Sequence, residues 1–125
     1  MKYLILVYSN PAFRQVWAGF SEARRVEFGR SHLALREDLA DAGELIMSEA
    51  LADASLGKRV SLREGRTVTT DGPFAEVKEH LAGFYLVECE SIERAIQHAA
   101  RVPEAAHIEV EVRPVLDLRG LGLEL

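Results

Sequence analysis

Two side chains suited to proton transfer, His32 and Asp71, stand out among the polar residues of the chain. Histidine titrates near neutrality without help from its surroundings, which suits a general acid or base. His32 falls in a predicted long helix, beside Phe28 and Leu35 and one turn before Arg36. A lone histidine on a helix is more often structural than catalytic, so the residue types alone leave both interpretations open.

Asp71 opens the stretch 71–79, which reads Asp-Gly-Pro-Phe-Ala-Glu-Val-Lys-Glu. Gly72 permits a positive φ and Pro73 has no N–H for a strand ladder, so the backbone is predicted to turn here. Pro73 also suits the first turn of a short helix, which we predict over 75–79. Asp71 then either caps backbone N–H groups at the turn or presents its carboxylate at the rim of a cleft.

Four more side chains are candidates for binding a small molecule. Arg36 and Lys78 offer cations for an anionic ligand, and Tyr8 and Tyr85 offer hydroxyl groups from predicted strands. Each has an ordinary alternative: a surface ion pair for Arg36, a solvated helix for Lys78, and a hydrogen bond to a backbone carbonyl for the tyrosines.

The sequence contains no recognisable motif for binding a metal ion or a cofactor. The four histidines form no ligand pattern with one another, with cysteine or with carboxylates, and no phosphate-binding glycine loop or nucleophile elbow is present. We therefore expect neither a metal nor a cofactor. His98 and His107 are expected at the surface or at an interface, and Glu104 in a solvated loop.

The 125 residues fit one domain spanning 1–125 with a single core. A formal net charge of −5 argues against a general nucleic-acid partner. The single cysteine, Cys89, suits a reducing cytoplasm. No apolar run approaches the roughly 20 residues that span a bilayer, and the N-terminal run has the length of a strand rather than of a signal peptide. We expect a cytoplasmic protein without a membrane anchor.

Hydrophobic periodicity predicts an α+β fold. Strands are predicted at 3–8, 45–51, 83–89 and 107–115, with an extra hairpin at 60–62 and 67–70; helices are predicted at 12–20, 22–42 and 92–99. The order is that of the ferredoxin-like split βαβ plan (βαββαβ) with an inserted hairpin, an antiparallel sheet and helices on one face.

A single domain of this kind would leave some apolar residues of the chain exposed to solvent. Residues 3–8 are apolar on both faces of their strand, and the long helix carries a second stripe at Val26, Leu33 and Ala40. The tail at 116–125 holds five leucines, which predicts that it packs on the body or across a dimer interface. A homodimer through the sheet face and the tail would cover these surfaces.

The segment TDGPFAEVKEHLAGFYLVE resembles the signature of the DGPF group of the YCII-related family, although Val77 replaces its usual small hydroxyl residue. The likeness extends to MKYLILVY, HLALREDLADAGELI and AARVPEAAHIEVEVRPV, and so to nearly the whole chain. It implies a dimeric α+β barrel. It also implies that His32 and Asp71 form a His–Asp pair, with His32 as the acid/base.

Two functions from different classes follow. The first is a small cofactor-independent enzyme that performs an elimination or isomerisation on a small metabolite, using His32 and Asp71. The alternative is a binding or regulatory module, since the resemblance implies a link to extracytoplasmic-function sigma factors. A purely structural dimer is a third interpretation, in which the Asp-Gly-Pro turn serves folding alone.

Overall fold

The computed structural model describes residues 1–74 and 76–123. Strands and helices follow the predicted order along this part of the chain. The elements are β1 (Lys2–Ser9), α1 (Pro11–Ala18), α2 (Glu22–Asp41), β2 (Leu45–Ala50), β3 (Lys58–Arg63), β4 (Arg66–Asp71), β5 (His80–Glu88), α3 (Ile92–Ala99) and β6 (Glu111–Pro114). None of the described helices is both long and apolar enough to cross a membrane.

The main sheet is antiparallel and has the strand order β2–β5–β1–β6. The continuous apolar run of β1 lies at the centre, where both of its edges are paired. This order is that of the ferredoxin-like plan, so the predicted α+β class and split βαβ topology are confirmed. In a single chain the sheet stays open and does not close into a barrel.

Alternation along the strands divides the sheet into two faces. Tyr3, Ile5 and Val7 of β1 lie with Tyr85 and Val87 of β5 in the buried core. Leu35 and Leu39 of α2 and Ala95 of α3 cover this face, and each is at most 1% exposed. The cavity described below lies under α2, on this same face.

The long helix α2 begins and ends as its capping residues predict. The Ser21 side chain accepts a hydrogen bond from Arg24 N, and Gly43, just beyond the helix, has a φ of +73°. The stripe that includes Leu35 and Leu39 packs on the sheet. The second stripe is uncovered in one chain, since Val26 is 50% exposed and Leu33 is 58% exposed.

The hairpin of β3 and β4 forms a separate two-stranded sheet. It turns at Glu64 and Gly65, which both have a positive φ, as the sequence pattern indicated. Its apolar side chains Val60 and Leu62 are 66% and 73% exposed. The hairpin is therefore an arm whose apolar residues remain uncovered by the described part of this chain.

Two local predictions need correction. Residues 73–79, as far as they are described, form an irregular loop with one turn bond from Val77 N to Phe74 O, because so short a helix has a costly nucleus and no packing partner. Strand β6 begins at Glu111 rather than at 107, because the N–H groups of His107 and Ile108 both bond Glu104 O in a preceding turn. In the described part of the tail, Leu116 and Leu121 are 66% and 62% exposed, so its packing across a dimer interface stays a prediction.

Candidate functional site

A cavity of about 510 Å³ lies between α2 and the helix-covered face of the sheet. Its size is that of an ordinary small-molecule site. The wall from α2 carries His32, Leu33 and Arg36, and the opposite wall is formed by β2 and β5. Its polar side chains on the covered face are contributed by His32, Arg36, Ser48, Tyr85 and Glu104.

His32 is held between two oxygen atoms. Its Nδ1 lies 2.6 Å from the Tyr85 hydroxyl, and its Nε2 lies 2.6 Å from Glu104 Oε1. The imidazole is nearly parallel to the Tyr85 ring, with an interplanar angle of 9°, and Phe28 contacts it edge-on. Packing and hydrogen bonds together therefore fix the orientation of the ring.

For an ionised Glu104 and a neutral imidazole, the two contacts define one arrangement of protons. The Tyr85 hydroxyl also lies 3.5 Å from the backbone carbonyl of His32, which is a more distant acceptor. An ionised carboxylate only accepts hydrogen bonds, so Nε2–H donates to Glu104. In a neutral imidazole Nδ1 is then an acceptor, and it receives the Tyr85 O–H. The result is a chain of donors running from Tyr85 through His32 to Glu104, with the basic nitrogen facing Tyr85.

The prediction that Glu104 is a solvated loop residue is wrong, because the residue is only 7% exposed. It follows Pro103 in the short 3₁₀ turn Pro103–Ala106, and the adjacent Val102 is 1% exposed and anchors that turn in the core. A charged side chain this buried requires a partner, and His32 supplies it. The sequence signal for Glu104 is weak, since the two residues are 72 positions apart.

Tyr85 lines the cavity and is 5% exposed, and its role in binding a ligand stays a prediction. Its pKa is raised to about 12, first by burial and then by the nearby Glu104 charge, and the positive charge of Arg36 partly opposes the rise. The phenol is therefore protonated at neutral pH. It acts as a hydrogen-bond donor and not as a phenolate.

Arg36 also lines the cavity, one turn beyond His32, and its binding of an anionic ligand stays a prediction. Tyr8 does not, because alternation along β1 places it on the opposite face of the sheet, where its hydroxyl donates to Glu111 Oε1 at 2.8 Å. That hydrogen bond raises the pKa of Tyr8 and lowers the pKa of Glu111. Lys78 is exposed in the loop after β4 and is not among the residues that line the cavity.

Asp71 lies at the end of the arm and pairs with Lys58 across the hairpin. Its side chain is 81% exposed, and it is not among the residues that line the cavity. The expected His32–Asp71 pair is therefore not formed within the described part of one chain, where the partner of His32 is Glu104 instead. A role for Asp71 in the chemistry stays a prediction.

His98 belongs to a second polar cluster and is not the surface residue we expected, since it is 4% exposed. Its Nε2 lies 3.1 Å from Glu44 Oε2, and Arg94 binds the same carboxylate at 2.9 Å. These contacts, with that of Arg94 the stronger, lower the pKa of Glu44. The cluster connects α3 to the start of β2. No group of three metal-binding side chains occurs among residues 1–74 and 76–123.

Comparison with known proteins agrees with the resemblance noted in the sequence. Residues 1–119 match the YCII-related domain. An uncharacterised protein of Rhizobium meliloti (strain 1021) is 31% identical over 117 residues, which cover 92% of each chain. The match supports the YCII family, and assignment to its DGPF group stays a prediction from the motif. The chain belongs to the YCII-related domain family.

Proposed function

We propose that this protein is a cofactor-independent acid/base enzyme that performs an elimination or an isomerisation on a small metabolite. The observation that carries the proposal is the Tyr85–His32–Glu104 chain on the wall of a ligand-sized cavity. A fixed imidazole backed by a buried carboxylate is the arrangement that general-base catalysis needs. Membership in the family is compatible with this activity and does not specify it.

His32 Nδ1 is the base in this proposal. In the empty site it accepts the Tyr85 O–H. A substrate oxygen that takes over this hydrogen bond would free Nδ1 to remove a proton from a neighbouring carbon. The imidazolium that forms would be stabilised by the Glu104 carboxylate, which needs no rearrangement because it already holds Nε2–H.

Tyr85 is the electrophilic partner. Because its pKa lies near 12, the phenol keeps its proton and can donate to the oxygen on which negative charge develops. Return of the proton to a second carbon completes an isomerisation, and loss of a leaving group completes an elimination. Neither route requires a redox change, so the residues present are sufficient for both.

A test is proton exchange observed by ¹H NMR in D₂O, with a panel of small metabolites that carry an acidic C–H bond. The wild-type protein should exchange or convert at least one of them, and His32→Asn should slow that reaction by about 10²–10⁴-fold. His107→Asn is a matched control, because His107 is exposed and lies outside the cavity. An equal loss in both variants, or full activity of His32→Asn, would contradict the proposal.

We also propose that the chain forms a homodimer through the face of its main sheet that points away from α2 and α3. Leu4 and Leu6 of β1 and Phe84 and Leu86 of β5 lie on this face by strand alternation. Leu6 is 7% exposed, and the other three are half-buried in one chain. The exposed leucines of the tail supply a second surface for the partner. Two such sheets packed face to face would give the dimeric barrel that the resemblance implied.

A regulatory role linked to a sigma factor is the second candidate. The exposed stripe with Val26 and Leu33 and the exposed tail favour it, because contiguous exposed apolar residues commonly mark docking surfaces. Affinity capture should then recover a sigma factor, and removal of residues 116–125 should abolish the recovery. Capture of the chain itself and nothing else would speak against this candidate.

A further inference from the structure

Ser48 is a polar residue of the cavity that the proposed chemistry leaves unused. It is 7% exposed, and it pairs with Tyr85 across β2 and β5, so both side chains lie on the covered face. Its hydroxyl forms no hydrogen bond with another side chain in the described part of the chain, yet it is not sealed off from solvent. A hydroxyl at the wall of a cavity that keeps contact with solvent can exchange water for a ligand.

Arg36 is the only cationic side chain among those that line this cavity, apart from the histidine. It forms no ion pair with any residue in 1–74 or 76–123. It lies one helical turn from His32 on the same wall of the cavity, so the guanidinium starts from the side of α2 that carries the imidazole. Arginine presents a planar set of donors that matches a carboxylate.

Neither acidic residue that lines the cavity presents a free carboxylate to a bound anion. Glu104 already holds His32 Nε2–H. Glu49 follows Ser48 in β2, so alternation directs its side chain to the other face of the sheet, and its backbone carbonyl is what approaches Gly83. Because the Glu104 carboxylate is already engaged by His32, the Arg36 guanidinium is the cation that a ligand carboxylate would meet in the cavity.

We propose that the substrate is a small carboxylate, bound by the Arg36 guanidinium and the Ser48 hydroxyl with its reacting carbon beside His32. This inference rests on the proposed function and names its substrate class. The remaining lining includes Val7, Leu33 and Ala50, which suits an apolar or aromatic body behind the carboxylate. The proton that His32 removes would then come from a carbon close to the carboxylate.

The test uses benzoate and its neutral analogue benzamide as probes, followed by ¹H–¹⁵N NMR at pH 7.5. Benzoate should shift the amide signals of the cavity walls and bind at least about 10-fold more tightly than benzamide. Arg36→Gln should weaken benzoate binding by about 10-fold or more, and Ser48→Ala by about 5-fold. Arg30→Gln and Ser31→Ala are matched controls on α2 that lie outside this cavity and should bind as the wild type does.

Equal affinity for the two probes, no binding of either, or unchanged benzoate binding by Arg36→Gln would overturn the inference. Arg36 is exposed, so its variant tests the proposal even if Ser48→Ala fails to fold. His32→Asn should still bind benzoate, because binding does not require proton transfer. Benzoate binding without any proton exchange would therefore reject the catalytic proposal alone, and exchange without carboxylate preference would reject this inference alone.

Discussion

At the scale of single residues, the identity of the carboxylate that faces His32 decides the chemistry. Sequence reasoning found His32, Arg36 and Tyr85 because their residue types and their places on a helix and a strand were readable locally. It missed Glu104 and Ser48, because their importance arises from contacts between distant parts of the chain. Glu104 is brought to His32 by a turn anchored at Val102, and no local pattern encodes that approach.

Tyr85 gives a prediction about stability at high pH. Its pKa is raised from 10 to about 12 in the folded protein, so above pH 10 the unfolded chain releases this proton while the native state keeps it. Stability from Tyr85 is thus complete below pH 10 and is lost as the pH rises toward 12. The loss should be on the order of 2 kcal/mol.

Urea denaturation between pH 9 and pH 12 measures this effect. Tyr85→Phe should be less stable at pH 9, because its hydrogen bond to His32 is lost, but its stability should fall less steeply with rising pH. Because the two proteins differ only at position 85, ionisation of the other tyrosines contributes equally to both slopes. Identical slopes for the two proteins would show that Tyr85 ionises as readily in the native state as in the unfolded chain.

At the scale of elements, β2, β5 and α2 form the cavity, and two glycines have opposite roles in it. Gly83 of β5 lies so close to β2 that an added Cβ would be 2.9 Å from Glu49 O. Gly29 of α2 lines the cavity, and an added Cβ would meet nothing within 4 Å. The first glycine permits strand pairing, whereas the second lowers helix stability and leaves space.

The same substitution should therefore have opposite effects at these two positions. Gly83→Ala should destabilise the protein by about 1–3 kcal/mol, because β2 and β5 must move apart. Gly29→Ala should stabilise it by about 0.5–1 kcal/mol, because alanine is the better helix former. Thermal unfolding followed by circular dichroism measures both. A stable Gly83→Ala variant would show that the strands are not in close contact there.

Element boundaries were predictable where local signals were strong. The Ser21 cap, the Gly43 stop and the turn at Glu64 and Gly65 each have a local cause, and each lies where the sequence indicated. The helix expected at 75–79 was wrong, in the residues described, because a proline at the start does not offset the cost of nucleating so short a helix. Periodicity identified β6 but not its first residue, since the turn after Pro103 bonds the preceding N–H groups.

At the scale of the whole molecule, one chain leaves more apolar surface uncovered than its own fold explains. The second stripe of α2, the arm of β3 and β4 and the described tail carry exposed apolar side chains. The face of the sheet opposite α2 is a fourth apolar surface, and most of its side chains are half-buried. The sequence indicated three of them, because it contains apolar residues that a single domain could not bury. It could not show which of them meets a partner, because that depends on the shape of the assembled surfaces.

The dimer proposal predicts a particle of twice the chain mass of 13.9 kDa in light scattering coupled to gel filtration. Leu86→Glu places a charge on the sheet face opposite α2 and should give a monomer, because the charge would have to be buried without a partner. Val26→Glu is the control on the outer stripe of α2 and should remain dimeric. A monomeric wild type, or a dimer lost only in Val26→Glu, would contradict an interface at the sheet.

The protonation state of the His32 ring at pH 8, read from its ¹⁵N chemical shifts, tests the central claim most directly. The account predicts a proton on Nε2 and a bare Nδ1 in the wild type, the same state in Asp71→Asn, and loss of this preference in Glu104→Ala. A ring protonated on Nδ1 in the wild type, or one that changes with Asp71→Asn but not with Glu104→Ala, would contradict it.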